Sequence, residues 1–436
     1  MNAILNDVVS SLQNTHKLNF KISLTLLIFL FLVKNTFLFG QDAKNDSTSV
    51  VVDVSKQVDI KDFLRTIFTK KEIAESDSTK KSIAKEDSTK KKSLGPFYTP
   101  VAYPGYSLVT GALIGVVNSL SFYTHRGDGA KISSISMLNM YTQNKQFLNT
   151  LQSNIWLKHE KYNLLGDWRY YKYPNFTYGL GSKTNLEDLS NVNYTLYRIY
   201  EVIMRQVGKN TFIGLGYNFD YHTNISETNN PEIPETDLKK YGYSESSKSS
   251  GITVNFQYDS RLNSNNPSEG AYANIQIRDN LKYLKSDNDW QSATIDLRYY
   301  IPFSRKSGNV LAFWTYNVLT LGGTPPYFDL PSTGWDVNNN TGRGYVEGRF
   351  RGRHSLYFEA EYRFNLTKKR FLGGVIFSNI ASFSEPITNK FENINIAYGA
   401  GLRIKVNKFA NTNLTIDYGI GQGGSRGFSF GLNENF

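Results

Sequence analysis

The stretch with the most chemistry within reach is 322–354, which carries Gly342-Arg343-Gly344-Tyr345 and ends Arg349-Phe350-Arg351-Gly352-Arg353-His354. It is rich in Gly and Arg and lacks strand alternation. A guanidinium presents a rigid fork of donors that matches carboxylates. A loop longer than about 15 residues inside a compact domain is usually functional or disordered. Two readings follow: a solvated Arg-rich surface loop, or a loop that folds into a cavity with Arg343 as its anchor. Other chemistry is sparse. The five histidines, His16, His125, His159, His222 and His354, fall in separate segments, and no pair has metal-ligand spacing. Cysteine is absent, which excludes disulfides, thiolate sites and a lipidated Cys anchor. His354 beside Ser355 is the one place to look for an activated nucleophile, and it reads as a loop-base histidine. Gly421-Gln-Gly-Gly-Ser425 joins two strand patterns and reads as a hairpin turn rather than a phosphate cradle. The expectation is therefore no enzyme, no metal and no cofactor. The net charge of +11 comes without a basic–aromatic RNA motif, so no nucleic-acid partner is expected.

The elements that must position this loop are strands. From residue 96 onward the hydrophobic period is two. Ile394, Ile396, Tyr398, Ala400, Leu402, Ile404 and Val406 share one face, with Gly399, Gly401, Arg403 and Lys405 on the other. Leu414, Ile416, Tyr418 and Ile420 oppose Asn413, Thr415, Asp417 and Gly419. Leu356, Phe358, Ala360, Tyr362 and Phe364 oppose Tyr357, Glu359, Glu361 and Arg363, and Phe377 shares a face with Asn379. A soluble sandwich would bury the apolar face; a membrane barrel turns it outward around a polar lumen. Tyr and Phe near the strand ends, strands of about 10–13 residues and an exported chain favour the membrane.

Polar turns predict sixteen strands near 97–104, 107–123, 131–142, 145–157, 161–172, 192–206, 210–223, 250–259, 270–284, 289–302, 308–321, 355–366, 371–383, 393–406, 411–421 and 426–436. The fold class is thus all-β, a 16-stranded antiparallel transmembrane barrel over 96–436, with the loop 322–354 folded toward the lumen. An even count leaves both ends in the periplasm and sorts the long linkers 174–191, 224–249 and 322–354 to the outside. The first strand carries two prolines, which suits an edge or seam.

The N-terminus reads as a secretory signal over 1–40, with a basic region before the apolar run Ile22–Val33; an uncleaved anchor is the alternative, and Lys34 interrupts it. Residues 41–95 contain a duplicated Ser/Thr/Lys/Asp unit and read as a disordered periplasmic tail. Within it, Ile60, Phe63, Leu64, Ile67 and Phe68 share one helical face of a short amphipathic helix, 59–71. That helix is a candidate for docking on other outer-membrane assembly proteins, on outer-membrane lipid or in the barrel mouth; the alternative is a transient helix in a linker. Protection from hydrogen exchange separates docking from the linker reading.

Taken as a group, several motifs resemble the BamA/TamA superfamily of outer-membrane assembly and secretion barrels (bacterial surface antigens). Tyr258-Asp259-Ser260-Arg261 followed by Asn266-Pro267-Ser268-Glu269-Gly270 is similar to its turn motif. Gly342-Arg343-Gly344-Tyr345 is similar to the motif of its sixth extracellular loop, and Glu361-Tyr-Arg363-Phe and Phe377-Ser-Asn379 to the strands that follow. The terminal Phe436, on the face of Phe428 and Phe430, looks like the family's C-terminal assembly signal. The resemblance implies that Arg343 is held inside the lumen by Glu361 and Asn379. Asn379 stands where the family has Asp, so Glu361 is expected to hold Arg343 largely alone. It also implies a role in assembly, insertion or translocation of proteins or other amphiphiles. The family's periplasmic substrate-docking (POTRA) domains have no counterpart in 41–95, which are too short and too low in complexity. A passive channel or structural barrel, or an accessory subunit of a larger complex, are the other readings.

Overall fold

The computed structural model describes residues 57–66 and 96–436, apart from 108–109, 126–130, 158–159, 229–234, 262, 265, 305–306, 338 and 409–410. The signal segment 1–40 and most of the tail 41–95 lie outside the described residues. The first half of the wall comprises β1 (Phe97–Ser107), β2 (Gly111–Phe122), β3 (Ser133–Thr142), β4 (Phe147–Leu157), β5 (Tyr162–Lys172), β6 (Asn175–Thr177), β7 (Ser190–Gly208), β8 (Thr211–Thr228) and β9 (Ser247–Asp259). The second comprises β10 (Gly270–Asn280), β11 (Trp290–Ser304), β12 (Asn309–Gly323), β13 (His354–Asn365), β14 (Leu372–Phe383), β15 (Asn395–Asn407), β16 (Thr412–Gly421) and β17 (Arg426–Leu432).

Every ladder is antiparallel between chain neighbours. The short β6 pairs with β7 beyond the end of β5, so the wall has sixteen staves. No described helix is long and apolar enough to cross a membrane. The face pattern is inverted relative to a soluble protein. Ile376 is 54% exposed and Leu402 52%, while Glu359 is 0% and Glu361 1% exposed. Outward apolar and inward polar residues are what a bilayer around a closed wall requires, because backbone groups facing lipid must be paired along the sheet.

Several boundaries differ from expectation: the strand expected over 210–223 runs on to Thr228, the one expected from 107 starts at Gly111, and three further differences bear on the site. The strand expected over 270–284 stops at Asn280, where Lys282–Leu284 form a 3₁₀ turn closed by Lys285 in the left-handed region at φ 72°. The three-residue strand Asn175–Thr177 lies in what reads from sequence as loop. The last strand ends at Leu432 rather than at Phe436. Asn433, with φ 72°, turns the chain inward. Phe436 is therefore not on the outer face with Phe428 and Phe430: it is 2% exposed, inside, against Trp314 and Tyr300. Charge drives the departure, because Glu434 reaches Arg403 at 2.7 Å.

β1 pairs with β2 along its whole length, from Phe97 opposite Ser121 to Ser107 opposite Gly111. Pro100 and Pro104 lie four apart and so remove two donors from the same edge. β17 lies next to β1, yet among the described residues no ladder joins them. Among the described residues this seam is the one junction of neighbouring strands without a ladder.

Residues 60–66 are helical. They rest on the short-turn rim: the Val58 N–H donates to the Lys369 carbonyl at 3.1 Å, Lys408 Nζ pairs with Asp62 at 2.6 Å, and Phe63 stacks on Phe371 at 4.8 Å.

Candidate functional site

The described residues of 324–353 do not project from the barrel. Tyr327, Phe328 and Leu330 are buried against Tyr171, Tyr173, Tyr194 and Leu196 of the β5–β7 wall. Phe350 packs with Trp314, Tyr357 and Phe383 on the opposite side. The loop spans the lumen because its apolar residues find partners on both walls, removing from water aromatic surface that a solvated loop would expose.

At its tip stands Arg343, which leaves solvent almost completely. Its Nη1 donates to Asp417 Oδ2 at 2.7 Å and its Nη2 to Glu361 Oε2 at 2.5 Å; it also pairs with Glu359 through Nη2. The guanidinium carbon lies 3.8 Å from the centroid of the Phe377 ring. Asn379 Nδ2 donates to the Arg343 carbonyl at 2.9 Å. Burial alone works against the charge, and the carboxylates of Glu359, Glu361 and Asp417 more than offset it, holding the Arg343 pKa well above its ordinary value. The expectation that Glu361 holds Arg343 largely alone is thus corrected. Glu359 from β13 and Asp417 from β16 share the load, and Asn379 grips the backbone instead of the side chain.

The tip fits because the wall is cut away beneath it. Gly342 and Gly344 have φ of 81° and 99°, a region that favours glycine. A Cβ on Gly344 would meet Ala397 Cβ at 2.9 Å, and one on Gly419 would meet the Gly344 nitrogen at 2.5 Å. Tyr345 clamps the far side, its hydroxyl donating to the Ile396 carbonyl at 2.7 Å.

Arg363 extends the network. It pairs with Glu361 through Nε, donates to the Pro267 carbonyl at 3.2 Å and to the Phe436 oxygen at 3.0 Å. The turn motif is thereby drawn to the same centre. Within that turn Arg261 pairs with Asp259 at 2.9 Å and lies over Tyr272 at 4.3 Å. Gly270 has φ 100°, and a Cβ there would meet the Ser260 carbonyl oxygen at 2.8 Å. Arg403 bridges Asp417 at 2.5 Å and Glu434 at 2.7 Å. Three guanidinium groups, Arg343, Arg363 and Arg403, thus face four carboxylates, Glu359, Glu361, Asp417 and Glu434. His354, by contrast, accepts from the Thr320 N–H at 3.2 Å and meets Asn389 at 3.1 Å; it braces the loop base.

Sequence reasoning missed Glu359, Asp417, Arg403 and Glu434 as partners. One signal for the place was present: Gly399, Gly401 and Gly419 on inward faces mark where another backbone comes close.

Two loop carboxyls titrate in the neutral range. Burial pushes Glu347 up to about 7, against the hydrogen bonds from Tyr173 and Asn175. Burial and the Asp220 charge push Asp329 up to about 7. Both folded values lie above the unfolded ones, so the stabilisation they give is complete below the ordinary carboxyl range and is lost as pH rises through about 7. Loop protection from trypsin, measured from pH 5 to 9, is expected to fall between pH 5 and about 7 and to level off above it. The Glu347→Gln/Asp329→Asn double variant is expected to flatten that profile, and an unchanged slope would overturn the assignment.

Residues 117–436 match the Omp85 superfamily domain. Among curated proteins no sequence match is found. Among solved structures the chain is similar to BamA from Haemophilus ducreyi lacking POTRA domains 1–3, at 15% identity and TM-score 0.49, over 76% of this chain and 69% of that one. It is similar to CdiB from Acinetobacter baumannii at 13% identity and TM-score 0.51, over 78% of this chain and 59% of that one, so it spans less than two thirds of the CdiB chain. At such identities the likeness concerns the fold. The domain match covers most of the chain and ends on the same wall that grips Arg343: the chain belongs to the Omp85 superfamily and is a bacterial outer-membrane barrel of the BamA/TamA type.

Proposed function

We propose that this barrel assists the assembly, insertion or translocation of polypeptides at the outer membrane, working at the β1–β17 seam rather than through an open pore. One observation carries the reading: the lumen is filled by a loop whose Arg343 is tied to three wall carboxylates, while the seam has no ladder among the described residues. A filled lumen beside a weak junction suits lateral handling of a client strand, since unpaired backbone groups at an edge are ready to pair with another chain. The long loops lie outside and the 57–66 segment in the periplasm in this reading, and no catalytic step is assigned. The test pairs two measurements on purified protein. Planar-bilayer conductance is expected to be low, and a wide steady pore would support a passive channel instead. Insertion of a client barrel into liposomes is expected to rise in the presence of the protein. Closing the seam by disulfides between cysteines introduced on β1 and β17 is expected to abolish that gain; the native chain has no cysteine to interfere. Full insertion activity with a locked seam would sink the proposal.

A second reading, an accessory subunit, is favoured by the 60–66 helix. It rests on the turn rim and leaves Ile60 and Leu64 exposed. Co-purification of a larger outer-membrane assembly that is lost on removing residues 41–95 would support it.

A further inference from the structure

The segment Asn433–Phe436 occupies a built slot in the lumen. At its acidic residue, Arg403 Nε and Asn413 Nδ2 both donate to Glu434 at 2.7 Å. Two residues on, the Phe436 ring stacks on Trp314 at 5.2 Å and tilts against Tyr300 at 6.2 Å. The Arg363 guanidinium carbon lies 5.3 Å from the centre of that ring. Between these, Asn340 Nδ2 donates to the Asn435 carbonyl at 2.6 Å. The slot therefore reads an acidic side chain, a backbone carbonyl and an aromatic ring in register.

The walls of the slot are held independently of their occupant. Trp314 donates to Asp296 at 2.9 Å and packs against Tyr357 at 5.3 Å. Arg363 keeps Glu361 and the Pro267 carbonyl; Arg403 keeps Asp417. The occupant is not fully satisfied. Asn433 Oδ1 and Asn435 Nδ2 are buried without a hydrogen-bond partner, and such atoms cost free energy. It joins the strand through left-handed Asn433, whose N–H donates to the Asn413 carbonyl at 2.8 Å. Returning Asn433 to extended geometry would carry the segment out along the line of β17.

We propose that this slot is a binding site for an extended polypeptide segment of the pattern acidic–any–aromatic, and that residues 433–436 are its resident occupant, which a second polypeptide with the same pattern displaces. The site names a ligand class for the assembly role above. It rests on that role only for its purpose, not for its chemistry.

The test uses a fluorescein-labelled peptide Gly-Asn-Glu-Asn-Phe and anisotropy on the refolded barrel in detergent. A chain stopped after Leu432 is expected to bind the peptide saturably, at least about tenfold more tightly than the full chain, whose own segment competes. Peptides with Gln for Glu or Ala for Phe are expected to bind the shortened chain at least about tenfold more weakly, and Trp314→Ala in that chain to abolish binding. If the shortened chain does not fold, as judged by heat-modifiable migration, Phe436→Ala in the full chain serves, because it empties the aromatic part of the slot; it is expected to bind the peptide more tightly than the parent. A folded shortened chain, or a folded Phe436→Ala chain, that shows no saturable binding overturns the proposal. So does binding indifferent to the acidic and aromatic positions. Liposome insertion is scored separately: peptide binding without insertion activity sinks the assembly role and leaves the site standing.

Discussion

Arg343→Met is expected to expel the loop tip from the lumen and to cost about 3–5 kcal/mol, the range for removing one partner of a buried ion cluster. Its effect is expected to be large because the cluster is already short of cations. Arg343, Arg363 and Arg403 face Glu359, Glu361, Asp417 and Glu434, and without Arg343 two cations remain for four carboxylates. Glu359 fares worst, since Arg343 is its ion-pair partner and, among the described residues, only Tyr357 and Asn379 also reach its side chain. Methionine would still cover the Phe377 ring, so the loss isolates charge from packing. Arg343→Lys is expected to fall between, because one ammonium lacks the fork that lets separate nitrogens serve Asp417 and Glu361. Three readouts check this: trypsin cleavage within 322–354, the temperature of the heat-modifiable gel shift, and bilayer conductance, all expected to move together. A variant with parental melting and a protected loop would refute the anchor role.

What could be read from the chain without coordinates follows from what a two-residue period contains. It tells which side of a strand a residue lies on, so inward Glu359, Glu361, Arg363 and Asn379 and outward Ile396 and Leu402 were legible. The order of the turn and loop motifs made the superfamily legible. The period does not tell which rows meet. Phe377 lies opposite Glu361 on one strand and Gly399 on the next, and Gly399 lies opposite Gly419. That register leaves a glycine trough between Phe377 and the β16 wall, where the loop tip sits, and brings Asp417 within reach of a guanidinium from β12–β13. Nor does the period announce its own end. Phe428, Phe430 and Phe436 continue one face only while the backbone stays extended, and a single left-handed Asn433 moves Phe436 to the opposite side of the wall. Asparagine tolerates that conformation, but in a run of alternating residues it is a faint signal.

Glu361→Gln is expected to loosen the loop more than Asn379→Ala, and the geometry now gives the reason. The two oxygens of Glu361 serve different guanidinium groups, Oε2 that of Arg343 and Oε1 that of Arg363. Gln keeps the volume and one acceptor but turns an amide donor toward one of those cations, so a hydrogen bond becomes a contact between two donors. The cost is expected at about 2–4 kcal/mol, below that of Arg343→Met, because Glu359 and Asp417 still hold Arg343. Asn379→Ala removes one donor to the Arg343 carbonyl and one weaker contact to Glu359, and it also removes a buried Oδ1 that has no partner. Its net cost is expected at about 1 kcal/mol. Asn379→Asp, which installs the residue of the superfamily motif, is expected to be the worse substitution at that position. It replaces the donor to the Arg343 carbonyl with an acceptor and adds a carboxylate beside Glu359 in a cluster that already has more carboxylates than cations. Ranked by loop cleavage rate and melting temperature, the expected order of damage is Arg343→Met, Glu361→Gln, Asn379→Asp, then Asn379→Ala. If Asn379→Asp instead tightens the loop, Arg343 has charge capacity to spare and the cluster is short of anions, the reverse of the balance drawn from the ion pairs.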